Sequence, residues 1–452
     1  MVDLVEIGEK ILKMADCDQA DVRIMIEKGH LTRFANSQIH QNMYEENCVA
    51  DVRVVVGKKI GTAKTNKLDE KNLREMVNHA IKIAKLQKEI PDFITLPGKT
   101  GTPAKVKCFV RETANHTVEE KAEAVKQLFE IAEKYKPVPK VYGAFSTNVG
   151  ELCIMNTLGV SVSSRHSVSK LGVCMIAEDG ENRGYGWGEM THMDVRKIDV
   201  DSVGRIAAEK AVGSIHTKKI EPGEYEVIFE PLAVSEILGY LSYAGMGALA
   251  VQEMRSFLCG NIGKKTMDEK ITIWDDGNDP TGLPMPFDFE GVPKQRVSII
   301  ENGVAKGYVY DSYTGGREGK QSTGHALPPG TGAFEVGPLP LNLFMKEGDM
   351  KVEEMIANCK QGLLVTKCHY VNIIHPVKTI FTGMTRDGTF YIENGEIRHP
   401  VKNLRFTQNI VEAFSRVKGL SKERRLIGGD FGATVVPFMH LEKFHFTGVT
   451  EF

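Results

Sequence analysis

Near the start of the chain, Leu4, Val5, Ile7, Ile11 and Leu12 recur at helical spacing, so residues 3–15 read as an amphipathic helix. Alternation of period two follows in DVRIMIEKG, IHQNMYEE and CVADVRVVVGKKIGTAK, the pattern of half-buried strands, with turn points expected at Lys28-Gly29 and Gly57-Lys58. Asp69 stands where an N-cap belongs, ahead of a helix face made by Leu73, Met76, Val77, Ala80, Ile81 and Ala84. Residues 88–107, which include PDFITLPGKTGTP, form a Pro/Gly-rich linker.

The same plan then returns. Val118 to Tyr135 has helical periodicity, several strands follow through Asp179, and a helix over Val200–Val212 opens on Asp199 or Asp201. Strands closed by a capped helix in both halves suggest an internal duplication. The charged, Pro-Gly-containing stretch Thr217 to Glu224 separates this region from the C-terminal half. Beyond it lie a helix after Pro231, a second around Asp349–Cys359, and otherwise strands with glycine-rich turns. Ile300-Glu301-Asn302-Gly303 recurs as Ile392-Glu393-Asn394-Gly395, and Asn-Gly between β-prone runs marks a type I′ hairpin.

The expected fold is α+β. It has an N-terminal region of antiparallel strands with flanking helices and a C-terminal β-dominated, barrel-like domain with few helices. The expected units are residues 1–88, 108–216 and 224–452.

Composition narrows the function classes. Hydrophobic residues at 42% and charged residues at 26% are ordinary for a globular protein, and 452 residues are more than one core commonly serves. A formal charge of −2 gives no global electrostatic reason for a nucleic-acid or anionic-membrane partner. No apolar run is long enough to span a membrane, and MVDLVEIGEKILKMADC lacks the basic start of a signal peptide. The 8 cysteines are scattered without a C-x-x-C pair, which reads as reduced thiols in a cytoplasmic protein.

The stretch from Asp275 to Thr314, DDGNDPTGLPMPFDFEGVPKQRVSIIENGVAKGYVYDSYT, resembles the TldD/PmbA family, whose C-terminal half carries DDG, P-F-D-x-E-G-V-P and IENG in this order. The likeness continues at Gly362 to Thr366 and at Arg386 to Ile397 and covers most of the chain. Active TldD-type members carry HExxxH on a helix upstream of the DDG segment and use it to bind zinc. The corresponding stretch here reads Pro231-Leu232-Ala233-Val234-Ser235-Glu236-Ile237-Leu238-Gly239-Tyr240. Ser235 and Tyr240 therefore stand at the ligand positions, and only Glu236 matches the general base. The family's third ligand, a C-terminal cysteine, aligns to within a residue with Gly429 in Gly428-Gly429-Asp430. The pattern is similar to the PmbA (TldE) branch, the partner subunit without a zinc site.

Residues five apart on an ideal helix sit ~140° apart, so ligands at 235 and 240 would need a widened turn, for which Gly239 offers room. Serine and tyrosine hydroxyls stay protonated near neutral pH and are poor zinc ligands. Other candidates read as structural. Cys368, His369 and His375 have no recognised ligand spacing, and His440 and His445 face opposite sides of a strand. Asp311 to His325 contains Asp, Ser and His but no G-x-S-x-G elbow, so it reads as a glycine-rich loop with local caps. The family places this loop near its cleft, which would make Arg317 and Ser322 its polar contacts with substrate.

The resemblance implies a non-catalytic subunit, with no metal or other cofactor of its own, that pairs with a zinc-bearing TldD-type chain to act on unfolded or short peptides. The alternatives are a self-sufficient metallopeptidase with atypical ligands and a homodimeric module that binds extended peptides along sheet edges.

Overall fold

The alternating stretches of the first half become six long strands in the computed structural model, which describes residues 3–329, 336–429 and 432–450. After helix α1 (Leu4–Met14) come β1 (Gln19–Ala35), β2 (Gln38–Val56), β3 (Lys59–Thr65) and α2 (Glu70–Leu86). The second set is α3 (Arg111–Ala114), α4 (Val118–Ala132), β4 (Lys140–Asn156), β5 (Ser161–Asp179), β6 (Asn182–His192) and α5 (Val200–Gly213). All six strands form one sheet in the order β3-β2-β1-β4-β5-β6, with β1 and β4 antiparallel at its centre. Segments 1–88 and 108–216 are thus mirror-ordered halves of one sheet, as a duplicated unit would be.

Lys28-Gly29 is not a turn. β1 runs straight through it, paired with Glu46 and Glu45 on one side and with Val149 and Asn148 on the other. The chain reverses instead at Asn36-Ser37, both at positive φ, and IHQNMYEE continues unbroken into CVADVRVVV as β2. A long strand held by neighbours on both edges overrides a local glycine signal. The caps agree with expectation, with Asp69 accepting from Asn72 N at 3.1 Å and Asp199, not Asp201, accepting from Ser202 N at 3.0 Å.

All four longer helices lie on one face of the sheet. Val22, Ile24, Val52 and Val54 pack with α1 and α2, while Val141, Leu171, Val173 and Met175 pack with α4 and α5. In β6, Gly184, Gly186 and Gly188 face α5, where an added Cβ would come 2.0, 2.1 and 2.3 Å from the carbonyl oxygens of Ala211, Ala207 and Val203. This stripe lets the helix lie directly on the strand. It also sends Tyr185, Trp187 and Glu189 to the opposite face.

The C-terminal half begins with β7 (Gly223–Phe229), α6 (Pro231–Gly245) and α7 (Ala248–Gln252). It continues through β8 (Ile273–Asp275), β9 (Val297–Glu301), β10 (Val304–Ala305), α8 (Ser312–Arg317), β11 (Asn342–Met345) and α9 (Val352–Ala357). Then come β12 (Gln361–His375), β13 (Ile380–Glu393), β14 (Glu396–Pro400), β15 (Leu404–Asn409), α10 (Ile410–Phe414), β16 (Val417–Gly429) and β17 (Gly432–Val449). β7, β12, β13, β15 and β17 pair in sequence and β17 pairs back to β7, closing a ring. The barrel-like α+β reading is therefore met. Helix α6 is apolar nearly all round and is buried against this ring, with Ile237, Leu238 and Leu241 among Phe229, Phe406 and Phe444. Both Asn-Gly turns have positive φ at both residues, 47° and 77° at Asn302-Gly303 and 52° and 78° at Asn394-Gly395. That is the type I′ geometry.

The free face of the N-terminal sheet docks on the Phe287-Asp288-Phe289-Glu290-Gly291 loop. Arg53 bonds Asp21 on the neighbouring strand and donates to Glu290 Oε1 at 3.0 Å, all three side chains being buried. Phe287 packs on Leu152 and Ile154. Gly291, at φ 76°, sits so close that a Cβ would be 2.5 Å from Val160 Cγ1. Asp288 folds the loop on itself by accepting from the backbone N–H groups of Glu290, Val292 and Ala326. Burial and the adjacent Glu290 carboxylate push Asp288 up to about 7. No helix among the described residues is long and apolar enough to cross a membrane.

Residues 98–107 are mostly exposed, whereas the 217–224 stretch is tied down at Lys218, which donates to Pro400 O and accepts from Lys402 N at 3.0 Å each. Limited trypsin digestion should therefore open Lys99, Lys105 and Lys107 first and Lys218 or Lys219 later. First cuts inside 270–310 would contradict the division into units. Arg53→Met should cost about 3–5 kcal/mol in urea denaturation, because it leaves two buried carboxylates without a counter-charge. A change in midpoint within error would mean that Arg53 does not hold the joint.

Candidate functional site

The docking of sheet on barrel leaves a cleft of ≈ 330 Å³ between β5 and β6 on one wall and α6, β12, β16 and β17 on the other. Helix α6 enters it along one stripe. Leu232, Glu236 and Tyr240, four residues apart, are half-buried while their neighbours are buried, and all three line the cleft. Pro231 sets the first turn, and the helix runs uninterrupted to Gly245 with no widened turn at Gly239. Ser235 also lines the cleft but points towards β17, where its Oγ accepts from Thr434 Oγ1 at 2.6 Å. Gly429, at the end of β16, joins them, and a Cβ there would meet no atom within 4 Å. Ser235, Glu236 and Tyr240 of α6 and Gly429 of β16, nearly two hundred residues further on, thus share one cavity.

The opposite wall holds residues that the sequence patterns do not single out. Lys170 donates to Gly428 O at 2.8 Å and pairs with Glu189 at 3.3 Å, while Trp187 Nε1 donates to Glu189 Oε2 at 2.9 Å. Lys367 Nζ lies 3.9 Å from the centre of the Trp187 ring and 3.3 Å from Asp387. The G-x-G-x-G alternation of β6 was the available signal, since it places Trp187 and Glu189 together on the face away from α5. Nothing local shows that this face meets α6. A second cleft of ≈ 500 Å³ shares Lys170, Gly428, Gly429 and Gly432 and extends past Leu283, Met285 and Phe289. Together they make a groove with an apolar arm and a charged arm.

Cys368 and His369 line the cleft on the β12 side. Burial and the nearby Glu236 carboxylate push the Cys368 thiol up, and burial, with Arg386 and Lys367 alongside, pushes the His369 imidazole down. As consecutive strand residues they direct their side chains to opposite faces. Among the described residues, no set of three histidine, cysteine or carboxylate ligands converges in the cleft. His375 is exposed at the far end of β12, away from both.

Arg317 and Ser322 do not line the cleft. Arg317 lies on α8, 3.6 Å from Asp92 and over the Tyr313 ring. Ser322 is buried, donating to Tyr310 O at 3.2 Å and accepting from Gly324 N at 3.1 Å. In the same loop His325 bridges Thr323 Oγ1 at 2.9 Å and Asp275 Oδ1 at 2.8 Å, the connectivity of a nucleophile triad. Yet His325 and Asp275 are fully buried, and Thr323 Oγ1 accepts from Tyr310 N at 2.8 Å, so these groups brace the loop.

Three family models cover the chain: PmbA/TldA metallopeptidase domain 1 over residues 20–84, the central domain over 111–215 and the C-terminal domain over 222–448. The chain is 28% identical over 363 residues to a metalloprotease PmbA homolog of Haemophilus influenzae, covering 78% of this chain and 76% of that one. It is 23% identical over 397 residues to a zinc metalloprotease TldD homolog of Saccharolobus solfataricus, covering 84% and 83%. In fold it matches TldE from Thermococcus kodakarensis at a TM-score of 0.88, with 21% identity and coverage of 98% and 99%. A Thermotoga maritima protein named as a modulator of DNA gyrase matches at 0.86, with 22% identity and coverage of 98% and 100%. With its three domains matched in order, this chain belongs to the PmbA/TldD metallopeptidase family.

Proposed function

We propose that the chain is the PmbA/TldE-type, non-catalytic subunit of a cytoplasmic two-chain metallopeptidase. Its partner is a zinc-bearing TldD-type chain, and the substrates are unfolded or short peptides. The observation that carries this reading is the donor set in the cleft. Catalytic zinc takes three protein ligands from imidazole, thiolate or carboxylate and keeps one position for water. Here two of the matching positions carry neutral hydroxyls, that of Ser235 already bonded to Thr434, and the third carries no side chain at all. These residues do not fit zinc, and Glu236 has no metal-bound water from which to take a proton. The cleft itself remains. Its length past Phe289 and its paired charges at Lys170 and Glu189 suit an extended peptide held by backbone and side-chain contacts, with the chemistry supplied across the partner's surface.

The purified chain should cleave no peptide, and its metal content by elemental analysis should be the same in Glu236→Gln as in the unaltered protein. A chelator-sensitive cleavage that disappears in Glu236→Gln would show a working enzyme instead. Ser235→His with Tyr240→His should add at most weak zinc binding. Adding Gly429→Cys, for which the cavity has room, should give the cleft its best chance of holding one further zinc ion.

Expressed beside a TldD-type chain that keeps HExxxH, the protein should elute as one heteromeric peak and raise the partner's peptidase activity. Separate elution at every salt concentration, with unchanged activity, would reject the pairing. A homodimer that binds peptides without the partner would favour the module reading.

A further inference from the structure

We infer that Glu226, Cys359 and His440 form a second site, outside the cleft, that binds a divalent transition-metal ion of the zinc class. The three residues come from β7, the turn after α9 and β17, yet their carboxylate oxygen, sulfur and imidazole nitrogen lie within 4.8 Å of one another. Ligands held at about 2.0–2.3 Å around a tetrahedral ion sit about 3.3–3.7 Å apart, so small side-chain movements suffice. Thiolate, imidazole and carboxylate together favour zinc or a similar borderline ion over magnesium or calcium.

The fold makes this convergence at some cost. Gly362 on β12 pairs with Glu226, and a Cβ at 362 would fall 2.5 Å from Cys359 Sγ and 2.9 Å from Glu226 Cβ. Glycine at that position is what leaves room for the thiol beside the carboxylate. His440 is fully buried, and its Nε2 lies 2.9 Å from Glu226 Oε2. Ile228, Met355, Leu364, Phe390 and Phe438 pack around Cys359 and exclude water. The competing occupant is the Lys418 ammonium, 2.8 Å from Glu226 Oε2; about a third exposed, it can swing out to solvent when an ion enters. Glu226 is the ligand closest to solvent and marks the entry path. The site is separate from the cleft, since Gly362 and the cleft residue Lys367 are five strand residues apart, about 16 Å. An ion here would pin β7, β17 and the α9–β12 turn together, a structural role independent of peptide cleavage.

Cobalt(II) tests this directly, because a thiolate–cobalt bond gives a near-ultraviolet charge-transfer band and a tetrahedral site gives visible bands. The chelator-treated full chain should bind one equivalent of cobalt with both signatures, and zinc should displace it. Cys359→Ser, close to isosteric, should abolish the charge-transfer band, and His440→Gln should weaken binding roughly tenfold or more. Lys418→Ala, at a partly exposed position where folding is not at stake, should tighten binding by removing the competing cation. No charge-transfer band in the unaltered chain, a band that survives Cys359→Ser, or weaker binding in Lys418→Ala would each overturn the assignment. Failure of the partner or cleavage experiments leaves this site untouched, because neither Cys359 nor His440 touches the cleft.

Discussion

The buried contact of Arg53 with Asp21 and Glu290 is what the rest of the molecule depends on. The sheet and the ring each have a core of their own, and the cleft exists only because the two are held face to face. Burying a guanidinium between two carboxylates is costly unless its hydrogen bonds are met, and here they are met from both bodies at once. Glu290 also accepts from Ser312 N at 3.1 Å, so the contact orients α8 as well. Asp288 and Asp311 lie in the same region and are pushed up to about 7 and about 6, chiefly by burial and secondarily by Glu290. The joint is therefore rich in carboxylates around a single arginine, and Gly291 lets the loop approach close enough to make it.

From that joint the groove arises by geometry. The glycines of β6 give one face to α5 and leave Trp187 and Glu189 on the other, where the ring brings α6 opposite. Lys170 then spans the gap to Gly428, so the same side chain belongs to the wall and to the fastening. Lys170 lines both arms of the groove.

The contrast between the two candidate metal locations is instructive. In the cleft, Ser235 and Tyr240 present hydroxyls and Gly429 presents no side chain. At Glu226, Cys359 and His440, no motif exists, yet three good ligand atoms meet around a glycine-made space. Ligand chemistry depends on atoms within a few ångströms, and spacing along the chain reports it only when the ligands share one helix or turn.

The sequence by itself determined what is local or periodic. Alternation identified the strands, Asp69 marked a helix start, Asp199 or Asp201 another, and both Asn-Gly pairs specified type I′ turns, because each of these depends on a few neighbouring residues. The motif order also identified the family. Only the tertiary structure decided that Lys28-Gly29 lies within a strand, since pairing on both edges outweighs one glycine. It likewise decided that β1 and β4 merge two segments into one sheet, that Arg317 and Ser322 brace a loop away from the groove, and that His440 meets Cys359. Each of these rests on contacts between residues far apart in the chain, whose outcome is set by packing rather than by any pattern along it.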